Sequence, residues 1–115
     1  MKLLAFDQST AKTGWAFFID GKLTDYGTIN KSTVKDTPDR IRDMFLAIIE
    51  KIGDLEPEWV IVEAIQQQAS PATSMMLSQL QGMIIGYLYE HEITVDSPLP
   101  TQWRTATIPA TPACR

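Results

Sequence analysis

Disulfide chemistry has nothing to work with in this sequence. Of its 115 residues one is cysteine, Cys114, and one is histidine, His91. A lone cysteine cannot pair within the chain, and it fits a reducing, cytoplasmic compartment. Its place beside the C-terminus argues against a catalytic thiol. Long apolar runs are missing as well: none approaches the ~20 residues that a membrane span needs, so no membrane partner is expected. The N-terminal apolar run is ended by Asp7, too early for a secretory signal. An excess of positive charge is also lacking. Ten Lys and Arg stand against 14 Asp and Glu, giving a net charge of −4 and a pI of about 4.8. That balance argues against coating nucleic acid by charge alone, because phosphate affinity comes from clustered cations. A local basic rim can still exist within an acidic total; Lys12, Lys31, Lys35, Arg40, Arg42 and Arg104 are its candidates, with solvated surface charge as the alternative for each. No internal repeat is present. A hydrophobic share of 44% and a charged share of 21% describe an ordinary globular chain, long enough for one core.

What is present is a carboxylate at the end of each of two apolar runs. Asp7 follows Lys2–Phe6 and Glu63 follows Trp59–Val62. Short apolar runs bounded by turn residues read as buried strands. A carboxylate at the end of such a strand is costly to bury alone and calls for a metal, a base or a hydrogen-bond partner. Two in one small domain suggest a divalent-cation site of the kind that cuts phosphodiesters. The competing reading makes Asp7 the cap of the Ser9–Thr10 turn and pairs Glu63 with Lys12 or Arg104.

The remaining pattern supplies an architecture. Lys2–Asp7, Gly14–Asp20 and Lys22–Asn30 read as three strands of an antiparallel meander, with Asp20-Gly21 as a tight hairpin turn. On the third strand Leu23, Asp25 and Gly27 alternate with Thr24, Tyr26 and Thr28. After a linker at Lys31–Lys35, Asp36 or Thr37 caps a helix with Pro38 in its first turn. Ile41, Phe45, Ile48, Ile49 and Ile52 give that helix its apolar face, and Gly53 is expected to end it. Glu58–Glu63 is a fourth strand whose near-continuous apolar run suits cover on both faces. Gln66–Ala69 is a polar connection. Ser70 caps a second helix, with Pro71 first, that carries Met76, Leu77, Leu80, Ile84 and Leu88 to about Glu90. His91 then falls at a helix end, as a surface residue. Ile93–Val95 is a short fifth strand. Residues 105–115, with two prolines and no amphipathic period, read as an irregular tail behind a domain spanning 1–104. Three antiparallel strands followed by helix, strand, helix and strand make an α/β domain with a mixed five-stranded sheet, the order of the ribonuclease H-like fold.

Specific residues carry a closer likeness. Leu4-Ala-Phe-Asp-Gln-Ser-Thr-Ala-Lys-Thr-Gly-Trp-Ala resembles the first motif of RuvC-like Holliday-junction resolvases, where a strand delivers an Asp into a small turn and a Thr-Gly-aromatic sequence opens the next strand. Val60-Ile-Val-Glu63 resembles their second motif. Ser78-Gln-Leu-Gln-Gly-Met-Ile-Ile-Gly86 is similar to the helix that follows, with its Gln-x-x-Gly core, and Glu63-Ala-Ile-Gln66 is nearest to the phage-borne branch. The resemblance covers residues 1–104. It implies a homodimeric, structure-selective endonuclease that nicks branched DNA with Mg²⁺ or Mn²⁺ and needs no small-molecule cofactor. Asp7 and Glu63 match the family's metal ligands. The family site is completed by Asp residues on a last helix. After Glu92 the only acidic residue is Asp96, so the expectation is a chain truncated at its C-terminus, with activity weakened accordingly.

Other residues stay open between two readings. Gln66, Gln67 and Gln68 offer uncharged donors and acceptors to DNA near the second motif, or form a solvated loop. Lys12 and Arg104 are candidates for phosphate contact. Gly82 and Gly86 form a small-xxx-small step, for which close packing on the sheet is the first expectation and a homodimer contact the second. Met75, Met76 and Met83 are expected in the core. Two rival functions remain: an inactive DNA-binding or dimerisation remnant, and a phosphate-binding domain of the sugar-kinase or actin-like kind, suggested by Asp-Gln-Ser-Thr-Ala-Lys-Thr-Gly.

Overall fold

The computed structural model describes residues 1–63 and 70–97. The readings placed on Gln66, Gln67, Gln68 and Arg104, the domain limit at 104 and the tail at 105–115 lie outside the described residues. Seven elements follow in the expected order: β1 (Lys2–Asp7), β2 (Lys12–Ile19), β3 (Lys22–Asn30), α1 (Thr37–Leu55), β4 (Trp59–Val62), α2 (Pro71–Glu90) and β5 (Thr94–Asp96). They build one mixed sheet in the order β3-β2-β1-β4-β5. The β1–β2 and β2–β3 pairs are antiparallel, and the β1–β4 and β4–β5 pairs are parallel. The β2–β3 hairpin closes through Asp20 at φ 52° and Gly21 at φ 83°. Positive φ at both turn residues matches the right-handed twist of the strands it joins.

Both helices face the same side of the sheet. Leu4 and Phe6 of β1, Phe17 of β2, and Val60 and Val62 of β4 form one cluster with Ile41, Met44, Ile48 and Ile52 of α1 and Leu80, Ile84 and Leu88 of α2. Trp15, also on this side, lies under the ammonium of Lys51, 4.4 Å from the ring centroid. Gly27, its cross-strand partner, lets the indole lie close: a Cβ there would stand 3.0 Å from Trp15 Cζ2. Because side chains alternate along a strand, Leu3, Ala5 and Asp7 of β1 and Trp59 and Ile61 of β4 project from the opposite face. Trp59 and Ile61 are half-buried while Val60 and Val62 are fully buried. The cover expected on both faces of β4 is therefore present on one face among the described residues.

Several boundaries differ from the sequence reading. α1 does not stop at Gly53; it continues to Leu55, which packs against the core, and ends at Glu56 in the left-handed region, whose N–H bonds Ile52 O. Packing of Leu55 outweighs the weak helix propensity of Gly53, and Pro57 prevents a further turn. β2 begins two residues early, at Lys12. β5 is shifted by one, to Thr94–Asp96. The simple alternation on β3 is broken, because Asp25 opposes Phe17 while Leu23 opposes Phe18, leaving Thr24 as the extra residue of a bulge. Leu23 thus shares a face with Tyr26. Met75 and Met83 are exposed rather than in the core, and only Met76 packs against it.

Candidate metal and nucleic-acid site

The site is set by one register. β1 and β4 run parallel, with Leu4 beside Val60 and Phe6 beside Val62. Asp7 and Glu63 each follow the last of these pairs. Residues in register on adjacent strands point to the same face, so both carboxylates leave the sheet on the side away from the helices. The burial of Leu4, Phe6, Val60 and Val62 fixes this: a slip of one residue would turn the carboxylates into the core. Asp7 is exposed and Glu63 half-buried.

The turn after Asp7 is held by hydroxyls. Ser9 Oγ accepts from the N–H of Ala11 at 3.3 Å and of Lys12 at 3.5 Å. Thr13, fully buried, donates from Oγ1 to Ser9 O at 2.9 Å and accepts from Ser9 N at 3.1 Å. The turn is thus capped by Ser9 and Thr13 and not by Asp7, whose carboxylate makes no hydrogen bond or ion pair among the described residues. The reading of Asp7 as a turn cap is overturned.

Glu63 is held through its backbone. Its carbonyl accepts from Gln8 Nε2 at 3.2 Å and from Gln81 Nε2 at 3.0 Å, and the same Gln81 amide reaches Ser97 Oγ at 3.3 Å. These contacts went unread in the sequence. The only signals were an amide directly after Asp7 and a polar residue on a helix with no charge between Pro71 and Tyr89.

Lys12 begins β2 at the same end of the sheet, exposed, and its cross-strand partner Asn30 is followed by Lys31, whose N–H bonds Ala11 O at 2.7 Å. Other candidates for a basic rim are engaged elsewhere. Arg42 pairs with Asp39 at 3.5 Å and Asp43 at 3.1 Å, and Arg40 donates to Val34 O at 3.2 Å. His91 stacks on Tyr87 with ring centroids 3.9 Å apart, exposed at the far end of α2.

Carboxylate oxygens suit a hard divalent cation, and two of them leave room for water and phosphate. Among the described residues no group of three Asp, Glu, His or Cys side chains could hold a metal. Asp96 pairs with Ile61 and so shares the face of Glu63, but it stands two residues back along the strand. The residues fit the cation as a two-carboxylate site. Among the described residues no helix is long and apolar enough to cross a membrane.

Gly82 and Gly86 do not pack against the sheet. Both are exposed, and a Cβ added at either meets nothing within 4 Å. The packing reading is therefore replaced by an open helix edge, which also carries exposed Met75, Met83 and Tyr89.

Comparisons with known proteins agree with the fold. The family model described as "Crossover junction endodeoxyribonuclease RuvC" matches residues 4–113. The crossover junction endodeoxyribonuclease RuvC of Alkaliphilus metalliredigens is 28% identical over 87 residues, which are 76% of this chain and 53% of that relative. The chain thus spans about half the length of that curated relative. Among solved structures, T. thermophilus RuvC in complex with Holliday junction substrate superposes with a TM-score of 0.78 at 16% identity, covering 92% of this chain and 69% of that one. The fowlpox virus resolvase, solved with Holliday junction DNA, gives a TM-score of 0.63 at 17% identity, covering 96% of this chain and 76% of that one. At these identities the structures speak for the fold.

Proposed function

Because the chain belongs to the RuvC family of crossover junction endodeoxyribonucleases, we propose that it is a metal-dependent, structure-selective endonuclease that hydrolyses phosphodiesters in branched DNA. The observation that carries this reading is the β1–β4 register, which brings Asp7 and Glu63 side by side on the open face of the sheet. These two carboxylates would hold Mg²⁺ or Mn²⁺. When bound, such an ion supplies water activation and charge stabilisation at the leaving oxygen.

The chain's own residues do the rest. The Ser9–Thr13 turn fixes the backbone after Asp7. Gln8 and Gln81 fix the backbone at Glu63. Lys12 and Lys31 offer positive charge to phosphate at the same end of the sheet, and we assign Gln66, Gln67 and Arg104 to DNA contact on sequence grounds. We take the unit to run over residues 1–104, followed by a tail at 105–115, in a reducing, cytoplasmic compartment.

The acting form in this proposal is a homodimer joined through α2. Glycine in mid-helix costs about 1 kcal/mol against alanine, and nothing among the described residues requires it at 82 or 86. A second copy approaching along Gly82 and Gly86 supplies the reason, with Met75 and Tyr89 as apolar neighbours.

Cleavage of a four-way DNA junction in Mn²⁺ tests the reading, with a linear duplex as control. Junction-selective nicking should fall more than about 100-fold in Asp7→Asn, since loss of a ligand exceeds the 10- to 100-fold typical of outer-shell changes. A second reading, a DNA-binding remnant without catalysis, is favoured by the lack of a third ligand among the described residues. It predicts junction binding with no nicking in either chain. Family membership weighs against the sugar-kinase reading.

A further inference from the structure

We propose that Gln81 is a positioning residue for Glu63, acting through that residue's backbone carbonyl; the assignment rests on the metal-site reading above. Glu63 lies one residue beyond the last pair of the β1–β4 ladder. A backbone carbonyl at that position needs a donor from elsewhere, and side-chain amides provide two. Gln81 reaches it from the middle of α2 at 3.0 Å, and Gln8 reaches it from the residue after Asp7 at 3.2 Å. The Gln81 amide also holds Ser97, directly after β5, at 3.3 Å. One side chain therefore ties the ends of β4 and β5 to α2, while Gln8 ties the end of β4 to that of β1.

Asp7 faces away from the helices, so Gln8, the next residue, turns toward them, where α2 also lies. Through the Glu63 carbonyl, the backbone positions that carry the two carboxylates become fixed relative to each other. An amide suits this task better than a cation. A Lys or Arg at 81 would place a permanent positive charge beside Glu63 and compete with a divalent ion for it. Outer-shell partners that orient metal ligands typically change metal affinity 10- to 100-fold when removed, and the contact at Gln81 is one step further removed, through the main chain.

The test uses the full chain and Mn²⁺ as probe. Gln81→Met keeps the side-chain length and removes the donor. Four quantities are measured: the Glu63 carbonyl ¹³C shift by NMR, the Mn²⁺ dissociation constant by calorimetry, the single-turnover rate of junction cleavage, and junction affinity. We expect the Glu63 carbonyl signal to move upfield and Mn²⁺ binding to weaken about tenfold. Cleavage should slow by a similar factor while junction affinity stays within twofold. Gln8→Met removes the other donor to the same carbonyl and should act in the same direction, which keeps the test decisive where Gln81→Met folds poorly. Ser97→Ala removes only the second acceptor of Gln81 and should leave Mn²⁺ affinity within twofold. Unchanged Mn²⁺ affinity in both glutamine variants overturns the assignment, as does an equal loss in Ser97→Ala, which would mark a general role in stability. Failure of the unmodified chain to bind Mn²⁺ overturns the metal-site reading, and the role of Gln81 with it, whatever the carbonyl signal does.

Discussion

Thr13 shows how much of the site depends on residues that carry no charge. Its hydroxyl is fully buried and both donates to and accepts from Ser9, closing the turn that leaves β1 at Asp7. Thr13→Val keeps the shape and deletes both bonds, leaving the part-buried N–H and carbonyl of Ser9 without that partner. Denaturant unfolding should report a loss of about 1–3 kcal/mol, with Mn²⁺ affinity falling alongside as Asp7 loses its fixed turn. Asp7 and Glu63 themselves were legible in the sequence, because a carboxylate ending an apolar run is conspicuous. The amides that bond the Glu63 carbonyl are not. Gln8 and Gln81 are 73 residues apart in the chain, and their meeting at one carbonyl depends on strand register and helix docking together. The competing reading of Asp7 as the turn cap fails for a related reason: Asp7, Ser9 and Thr13 are all competent caps, and the burial of Thr13 decides between them.

At the scale of elements, strong local signals were read correctly and tertiary overrides were not. Asp36 caps α1 by accepting from Asp39 N at 3.1 Å, with Pro38 in the first turn, as its sequence foretold. Asp36→Ala should cost about 1 kcal/mol of stability by thermal or chemical unfolding. The other end of α1 passed through Gly53 because Leu55 gains more from the core than Gly53 loses. The bulge at Thr24 has no local signature, since Leu23, Asp25 and Gly27 alternate with Thr24, Tyr26 and Thr28 in the sequence whether or not a residue is extra. Gly27 belongs to this scale as well. It lies against the indole of Trp15, which is covered in turn by Lys51. Gly27→Ala should destabilise by about 1–3 kcal/mol, the range for overpacking a filled site, although alanine elsewhere in a strand is harmless. An unchanged unfolding midpoint in that variant would mean that the indole moves aside freely.

Among the described residues, the core lies on one face of the sheet. Both helices cover one side; the two carboxylates occupy the other, at the end of the sheet where Lys12 and Lys31 also lie. In the proposed function, an acidic chain would in this way present cations and metal ligands together to a phosphate backbone. The outer edge of α2 is open along Gly82 and Gly86, and there the expectation of packing on the sheet failed because burial of a helix face cannot be told from sequence when the helix is apolar all round. A Cβ at Gly82 meets nothing within 4 Å among the described residues, so Gly82→Lys should convert the proposed dimer to a monomer in sedimentation, with the unfolding midpoint of the protomer kept. A chain that sediments identically with and without the substitution would remove α2 from the interface.

In the proposed function Asp7 and Glu63 serve a single cation. The direct measurement is calorimetric titration of Mn²⁺ into the unmodified chain, Asp7→Asn, Glu63→Gln and the double variant. Two ligands of one ion are not additive, so each single change should weaken binding nearly as far as both together, and the unmodified chain should bind one ion per protomer. Wild-type affinity in either single variant, or losses that simply add, would contradict the shared site.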